Sequence, residues 1–542
     1  MEIFFKTDVL VVGGGLAGLR AALAASHRGA SVIVIYRGKG ASPGIIGFDA
    51  AVGDKDSVDT FYNDILKSGL GLCDKKLARI LAKESVQAVE DLEKLGLSFD
   101  KKDSKYHLLQ PLGCSYPRVV HYKNLTGIQA ANLMIKQLKK NGVKIIDGAT
   151  VTDLLIDEDS VIGVCGINQS SNSFFTIKAG AVVLAIGGCG SVYPFTTYPA
   201  DITGDGYAMA YLSGAELIDM EFMAFESCGF VFPNKLRGKT VSTTILMEGG
   251  QLLNSKGERF MLRYNPERVE KVQKDELARA VYQEIMEGRG TKHRGVYLDV
   301  SMLPRDTIVY AHSLFYQFAL KAGVDLTKDQ AEVAPIAHTS IGGVKINEEC
   351  MTTVAGLYAA GEVVGGIHGA NRLGGSAGTE TLVFGARAGK FAAEYALNHS
   401  TIDVKRVNKL ASGKIAEIEQ DKNNKNNSID PKMLKKEIHR VMEEKVSIVK
   451  NGDKLKQAKN KLAEIKEKYA HISLDNIDQL TDIYEIRNML ITAEILIMAA
   501  IYRRESRGVH FREDYPQRDD MNWLKKIVIR KCGDSMDVAK EG

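Results

Sequence analysis

Cysteine is scarce, and the seven that occur stand apart: Cys73, Cys114, Cys165, Cys189, Cys228, Cys350 and Cys532. No two form a C-x-x-C pair, which argues against a dithiol redox centre or an iron–sulfur cluster in this chain. An odd, scattered set also points to a reducing compartment. No apolar run approaches the ~20 residues of a membrane helix. The longest, around Ile495–Ile501, reads as a buried amphipathic helix. The chain opens directly into an apolar strand, which predicts no secretory leader and a cytoplasmic protein; a peripheral membrane position through a partner stays open. Net charge is only +4 over 542 residues, so nothing points to nucleic acid. No metal site is predicted.

Glycine, by contrast, is abundant at 52 residues, beside 45% hydrophobic and 25% charged residues. These figures suit an α/β protein with many tight turns, and the length calls for two or three domains. Charge is uneven: residues 401–470 hold 18 Lys/Arg against 11 Asp/Glu. A solvated helical surface accounts for this more simply than a docking face for an acidic partner.

Asp8–Val12 is a continuous apolar run, as a buried parallel strand should be. Gly13-Gly14-Gly15-Leu16-Ala17-Gly18 follows, then an Ala-rich helix over Leu19–His27 and a second strand over Ser31–Ile35. A G-x-G-x-x-G turn between strand and helix is a dinucleotide-binding unit. One glycine permits the turn, one lets backbone approach a pyrophosphate, and one lets helix and strand pack. The helix start offers free N–H groups to the phosphates. The acid that usually ends strand two is missing; the chain reads Tyr36-Arg37, which lowers the case for a simple NAD enzyme.

Further along, Leu77–Leu95 and Thr126–Asn141 read as amphipathic helices, the second with Thr126 as N-cap. Lys144–Ile156 and Val161–Ile167 read as strands of a smaller sheet, and Ala181–Ile186 as a return to the central one. Residues 219–332, mixed in charge and poor in long apolar strands, read as an inserted cap. Val354–Ala360 restores the buried-strand pattern. After about residue 395 the pattern is helical, with a polar break at Asn423–Asn427 and helices over Met433–Lys450, Lys454–Tyr469 and Tyr484–Arg504. The expected architecture is α/β: a Rossmann-like dinucleotide domain (1–218 and 333–395) interrupted by an α+β cap (219–332), then a C-terminal helical domain (396–542).

A second glycine-rich segment runs Gly356-Leu-Tyr-Ala-Ala-Gly361-Glu362, then Gly365-Gly-Ile-His368-Gly-Ala-Asn371-Arg372-Leu-Gly-Gly-Ser376. Here the chain resembles the flavoprotein subunits of succinate dehydrogenase and fumarate reductase, with L-aspartate oxidase as a relative. The resemblance covers nearly the whole chain. It takes in Ser115-x-Pro117-Arg118 with Thr126-Gly127, Glu248-Gly-Gly250 through Phe260, His338-Thr-Ser-Ile-Gly342-Gly343, and Arg504 through Trp523.

The resemblance implies FAD, contacted by Gly13, Gly14, Gly15, Leu16, Ala17, Gly18, Arg37, Gly361, Glu362, Arg372 and Ser376. It also implies hydride transfer between flavin N5 and a carbon–carbon bond beside a carboxylate. Arg372 matches the family's carboxylate-binding arginine and His338 its substrate histidine. Three positions depart from the family. Glu226 stands where a histidine is expected, Ser242-Thr243 where Thr-Glu is expected, and Lys274 where a proton-delivering arginine precedes Asp275. Arg268 and Arg279 lie near enough to leave that last alignment open. Lysine can carry a proton but cannot bind a carboxylate bidentately. Glu226 would oppose an anionic substrate unless it turns away, so an amine, hydroxyl or thioether stays open for that end of the substrate.

Many family members bind FAD covalently to a histidine shortly after strand two. Ser42-Pro-Gly-Ile-Ile-Gly47 has none, so non-covalent FAD is expected. A small carboxylate as substrate and a separate iron–sulfur or other electron-transfer partner complete the expectation. Two alternatives stand beside it: an amino-acid oxidase like L-aspartate oxidase, and a flavin-binding relay or scaffold without substrate chemistry.

Overall fold

In the computed structural model, residues 3–541 are described apart from 112, 124, 170, 172, 242, 400–402, 422–428 and 473–477. The polar break at Asn423–Asn427 and Ser242 lie outside the described residues.

Strand Ile3–Val12 sits at the centre of a seven-stranded sheet, parallel to Val32–Tyr36 on one side and to Ser173–Leu184 on the other. Helix Leu16–Ser26 joins the first two strands, starting three residues earlier than the sequence pattern implies, directly at the glycine turn. The all-apolar strands are covered on both faces, as their unbroken hydrophobic pattern requires.

Among the described residues, the strands expected to form a separate small sheet belong to this seven-stranded one. Gly148, at φ +73°, breaks the run from Lys144 to Ile156 in two. Lys144–Asp147 extends the parallel sheet beside Val32–Tyr36, while Ala149–Asp157 turns to pair antiparallel with Ser160–Asn168. That hairpin joins the same sheet because Ser173–Leu184 is twelve residues long. Its first half pairs with Ser160–Asn168, and its last residues, Val182–Leu184, pair with Leu357–Ala359 returning from beyond the cap. Helix Thr126–Lys140 begins at Thr126 rather than being capped by it; the Thr126 hydroxyl accepts from Tyr122 N and donates to Ile46 O.

The cap has its own buried cluster, including Phe230, Leu252, Phe260, Val281, Leu298 and Phe315. Contrary to the pattern reading, it contains two ten-residue strands, Met223–Phe232 and Ala331–Ser340, in a four-stranded antiparallel sheet. Register shifts near Ala224, Glu226 and Phe230 interrupt the alternation that would have betrayed the first strand. Position 332 lies inside the second, which runs unbroken from the cap to the edge of the dinucleotide-binding unit and carries His338 there.

Helices Pro431–Lys445, Gly452–Tyr469 and Asp478–Tyr502 pack together after it. The last is not amphipathic. Tyr484, Ile486, Met489, Leu490, Ala493, Ile495, Leu496 and Ile497 are all buried, so it is surrounded. The C-terminal region is also not purely helical: Lys526–Cys532 and Ser535–Glu541 form a hairpin that pairs with Leu217–Ile218. Among the described residues, no helix is long and apolar enough to cross a membrane.

Candidate active site

A cavity of about 890 Å³ lies between the glycine turn, the cap and the second glycine-rich segment. Gly13, Gly14, Gly15, Leu16 and Ala17 line one end. The turn exists only because its glycines lack side chains: a Cβ on Gly13, at φ +127°, would stand 2.1 Å from Ala185 O, and one on Gly14 2.6 Å from the Tyr36 ring. Gly18 does not line the cavity; a Cβ there would meet Gly13 O at 2.1 Å, so its role is packing of helix on strand. The helix start is partly capped, since Leu16 N donates to Ser42 Oγ at 2.9 Å.

Arg37 lines the cavity, held by Asp201 O at 2.7 Å and Glu485 Oε1 at 2.7 Å. An acid not adjacent in sequence, Asp205 at the start of helix Asp205–Leu212, lines the cavity and interacts with Arg37. Burial raises its carboxyl against the pull of Arg37. Gly361, at φ +77°, and Glu362 line the far wall. Glu362 accepts from the Tyr198 hydroxyl and from Ser340 N at 2.8 Å, yet burial still pushes it up to about 7. Gly374, Gly375 and Ala377, at the start of helix Ser376–Asn398, face the cavity. Ser376 is not among the lining residues; its hydroxyl donates to buried Asp49 Oδ2 at 2.8 Å.

At the cap end, Glu226, Lys274, His338 and Arg372 share the same cavity. Lys274 opens helix Lys274–Met286 and its Nζ lies 2.8 Å from Glu226 Oε2. The Glu226 side chain is 7% exposed against 32% for Lys274, so the ammonium is the more open of the two groups. Burial alone would raise Glu226, but Lys274, His338 and Arg372 outweigh it and hold the carboxyl below its ordinary value. Burial drives His338 down to about 4 against the attraction of Glu226, with Arg372 and Lys274 adding to the fall. Its ring is neutral above that pH. Arg372 Nη1 donates to Leu373 O at 3.1 Å, while its buried Nε has no partner in the protein.

Arg268 and Arg279 are not on the cavity; Arg279 is bonded to Asp275 at 2.9 Å. His368 is buried against Glu380 at 2.9 Å and is also away from it. Thr243 lines the cavity where the family pattern expects an acid. Asp205, Thr197, Tyr198 and the Glu248–His312 pair at 2.8 Å also line the cavity, and none was a site candidate from the sequence. Gly204-Asp205-Gly206 at a helix start was a usable signal for the first. Glu248 sits in the Glu248–Phe260 block of the resemblance; Thr197, Tyr198 and His312 come from distant segments and carry no such signal.

A bare glycine cradle, two helix starts and an orphaned guanidinium N–H in one elongated cavity fit an anionic flavin dinucleotide. The fold and cleft are those of an FAD-binding oxidoreductase, and known proteins agree. The model of the FAD binding domain family matches residues 8–377, and that of the fumarate reductase flavoprotein C-terminus matches 435–541. One component of the CoM/CoB fumarate reductase of Methanothermobacter marburgensis is 37% identical over 97% of each chain. L-aspartate oxidase of Streptomyces coelicolor is 32% identical over 96% of this chain and 91% of its own. Among solved structures, E. coli quinol fumarate reductase superposes with a TM-score of 0.93 at 28% identity, covering 100% and 97% of the chains. Mycobacterium smegmatis Sdh1 gives 0.89 at 33%, covering 99% and 94%. The chain belongs to the fumarate reductase and succinate dehydrogenase flavoprotein family, as an FAD-dependent oxidoreductase acting on CH–CH groups.

Proposed function

We propose that this chain is a catalytic flavoprotein subunit that reduces a carbon–carbon double bond beside a carboxylate, with non-covalently bound FAD. One observation carries the reading: Lys274 neutralises Glu226 at 2.8 Å while His338 and Arg372 stand in the same cavity. The departures at positions 226 and 274 therefore compensate in charge, and the site retains a net cationic character suited to an anionic substrate.

When bound and reduced by electrons from an electron-transfer partner, FAD would supply the hydride. Arg372 presents a planar fork to a substrate carboxylate. Preorganised positive charge from Arg372 and Lys274 stabilises the negative charge that develops on the adjacent carbon. Lys274 Nζ holds the proton for that carbon, and its bond to Glu226 orients the ammonium group. Gly361 and the turn Gly13–Ala17 give backbone rather than side chains to the cofactor. Glu362, which burial pushes up to about 7, is a hydrogen-bonded buttress of that wall.

Non-covalent attachment is supported by the absence of histidine from Ser42–Gly47, which lines the cavity through Ser42, Gly44, Ile45, Ile46 and Gly47. A separate electron-transfer partner goes with the absence of cluster motifs in the sequence. A cytoplasmic position, at a membrane only through such a partner, goes with seven free thiols, six of them buried.

The test is anaerobic. Holoprotein reduced with dithionite is mixed with fumarate and related unsaturated mono- and dicarboxylates, and flavin reoxidation is followed by absorbance. Reoxidation by an unsaturated acid, lost in Arg372→Lys, is the expected result. Reoxidation by none of them sinks the reading in favour of an electron-relay role. Aspartate-dependent peroxide formation in air would favour the amino-acid oxidase instead.

A further inference from the structure

The segment 195–198 runs beside strand Ala331–Ser340 and is stitched to it next to His338. Thr197 N donates to Ala337 O at 3.0 Å, and Ala337 N donates to Phe195 O at 3.1 Å. The Thr196 hydroxyl donates to the same Ala337 O at 3.1 Å. A carbonyl oxygen has two lone pairs, so these donors occupy it. The Thr197 hydroxyl lies 3.5 Å from that oxygen but only 3.0 Å from His338 Nδ1. For an O–H donor the first distance is beyond useful range and the second is not. The Thr197 proton therefore goes to the ring nitrogen.

A neutral imidazole carries one N–H, and the hydrogen bond made by one nitrogen decides which nitrogen bears it. Burial keeps the His338 ring neutral above about pH 4. Its Nδ1 lies 3.0 Å from the Thr197 hydroxyl, while Nε2 has no protein partner among the described residues and the ring lines the cavity.

We infer that Thr197 is a positioning residue that fixes His338 as the Nε2–H tautomer, making it a hydrogen-bond donor to an anionic oxygen of the substrate. This rests on the proposed reduction of a carboxylate-bearing substrate, and it specifies how the second anchor beside Arg372 works. A neutral donor orients a carboxylate without adding another buried charge to a site that already holds Lys274 and Arg372.

The experiment uses the full-length holoprotein labelled with 15N-histidine, with the His338→Gln spectrum subtracted to assign the ring. At pH 7 the expected spectrum shows a protonated Nε2 and a bare Nδ1. Thr197→Val should give a mixture of tautomers, and malonate, used as a dicarboxylate probe read by flavin absorbance, should bind about tenfold more weakly. Thr197→Ser should restore both. A protonated Nδ1 in the unsubstituted protein, or an unchanged ring spectrum in Thr197→Val, overturns the inference. If the Nε2–H tautomer is present and Thr197-dependent but malonate does not bind at all, the tautomer assignment stands and the substrate reading falls.

Discussion

Lys274 Nζ lies 2.8 Å from Glu226 Oε2, so two of the positions at which this chain departs from its family's pattern are partners of one another. They are 48 residues apart in sequence, one at the start of a helix and one on a bulged strand, and neither makes sense alone. Glutamate in an anion site is repulsive; glutamate bonded beneath a lysine is a counter-ion.

Removing Lys274 strands a buried carboxylate. Lys274→Met should destabilise the protein by roughly 2–3 kcal/mol, toward the low side of what breaking a buried pair costs because about a third of the lysine still reaches water. It should also lower turnover by about a hundredfold or more, as loss of a proton donor does. Glu226→Gln combined with Lys274→Met should lose less stability than the two singles added together, measured by urea unfolding. Strict additivity would mean that the pair is not coupled.

His338 sets a pH limit on stability. Its native value of about 4 lies below the unfolded 6.5, so between those values the unfolded chain binds a proton that the native state does not. Stability is complete above about pH 6.5 and falls as pH drops toward 4, by about 3 kcal/mol for this group alone. His338→Gln should flatten that part of the pH–stability curve; an unchanged slope would place the titration elsewhere.

The cradle should be graded in its tolerance. Gly13→Ala meets backbone at 2.1 Å from an unfavourable φ, whereas a Cβ on Gly15 meets only the Ser42 hydroxyl at 3.0 Å. The ratio of flavin to protein absorbance should collapse in Gly13→Ala and decline far less in Gly15→Ala. Equal losses would show that the steric reading of the turn is wrong.

The flavin should come off. Acid precipitation of the holoprotein should leave the yellow colour in the supernatant and an unmodified chain mass in the pellet. Flavin retained on the polypeptide would mean that a residue other than a histidine in Ser42–Gly47 forms a covalent link.

The dinucleotide unit and the flavin were legible in the sequence because they depend on local rules. A parallel strand must be apolar throughout, a turn against a pyrophosphate must be glycine, and both signals sit within a few consecutive residues. Arg372 and His338 were readable as candidates through the family resemblance of the continuous segments that hold them. Tertiary structure decided what depended on distance. It drew the hairpin over 149–168 into the central sheet, surrounded helix Asp478–Tyr502 with apolar partners, and turned Ser376 onto Asp49. It also bonded Glu226 to Lys274 and brought Thr197 to His338 across 141 residues. A side chain's charge and hydrogen-bond capacity are written in the sequence, but what answers them is fixed only when the chain has folded.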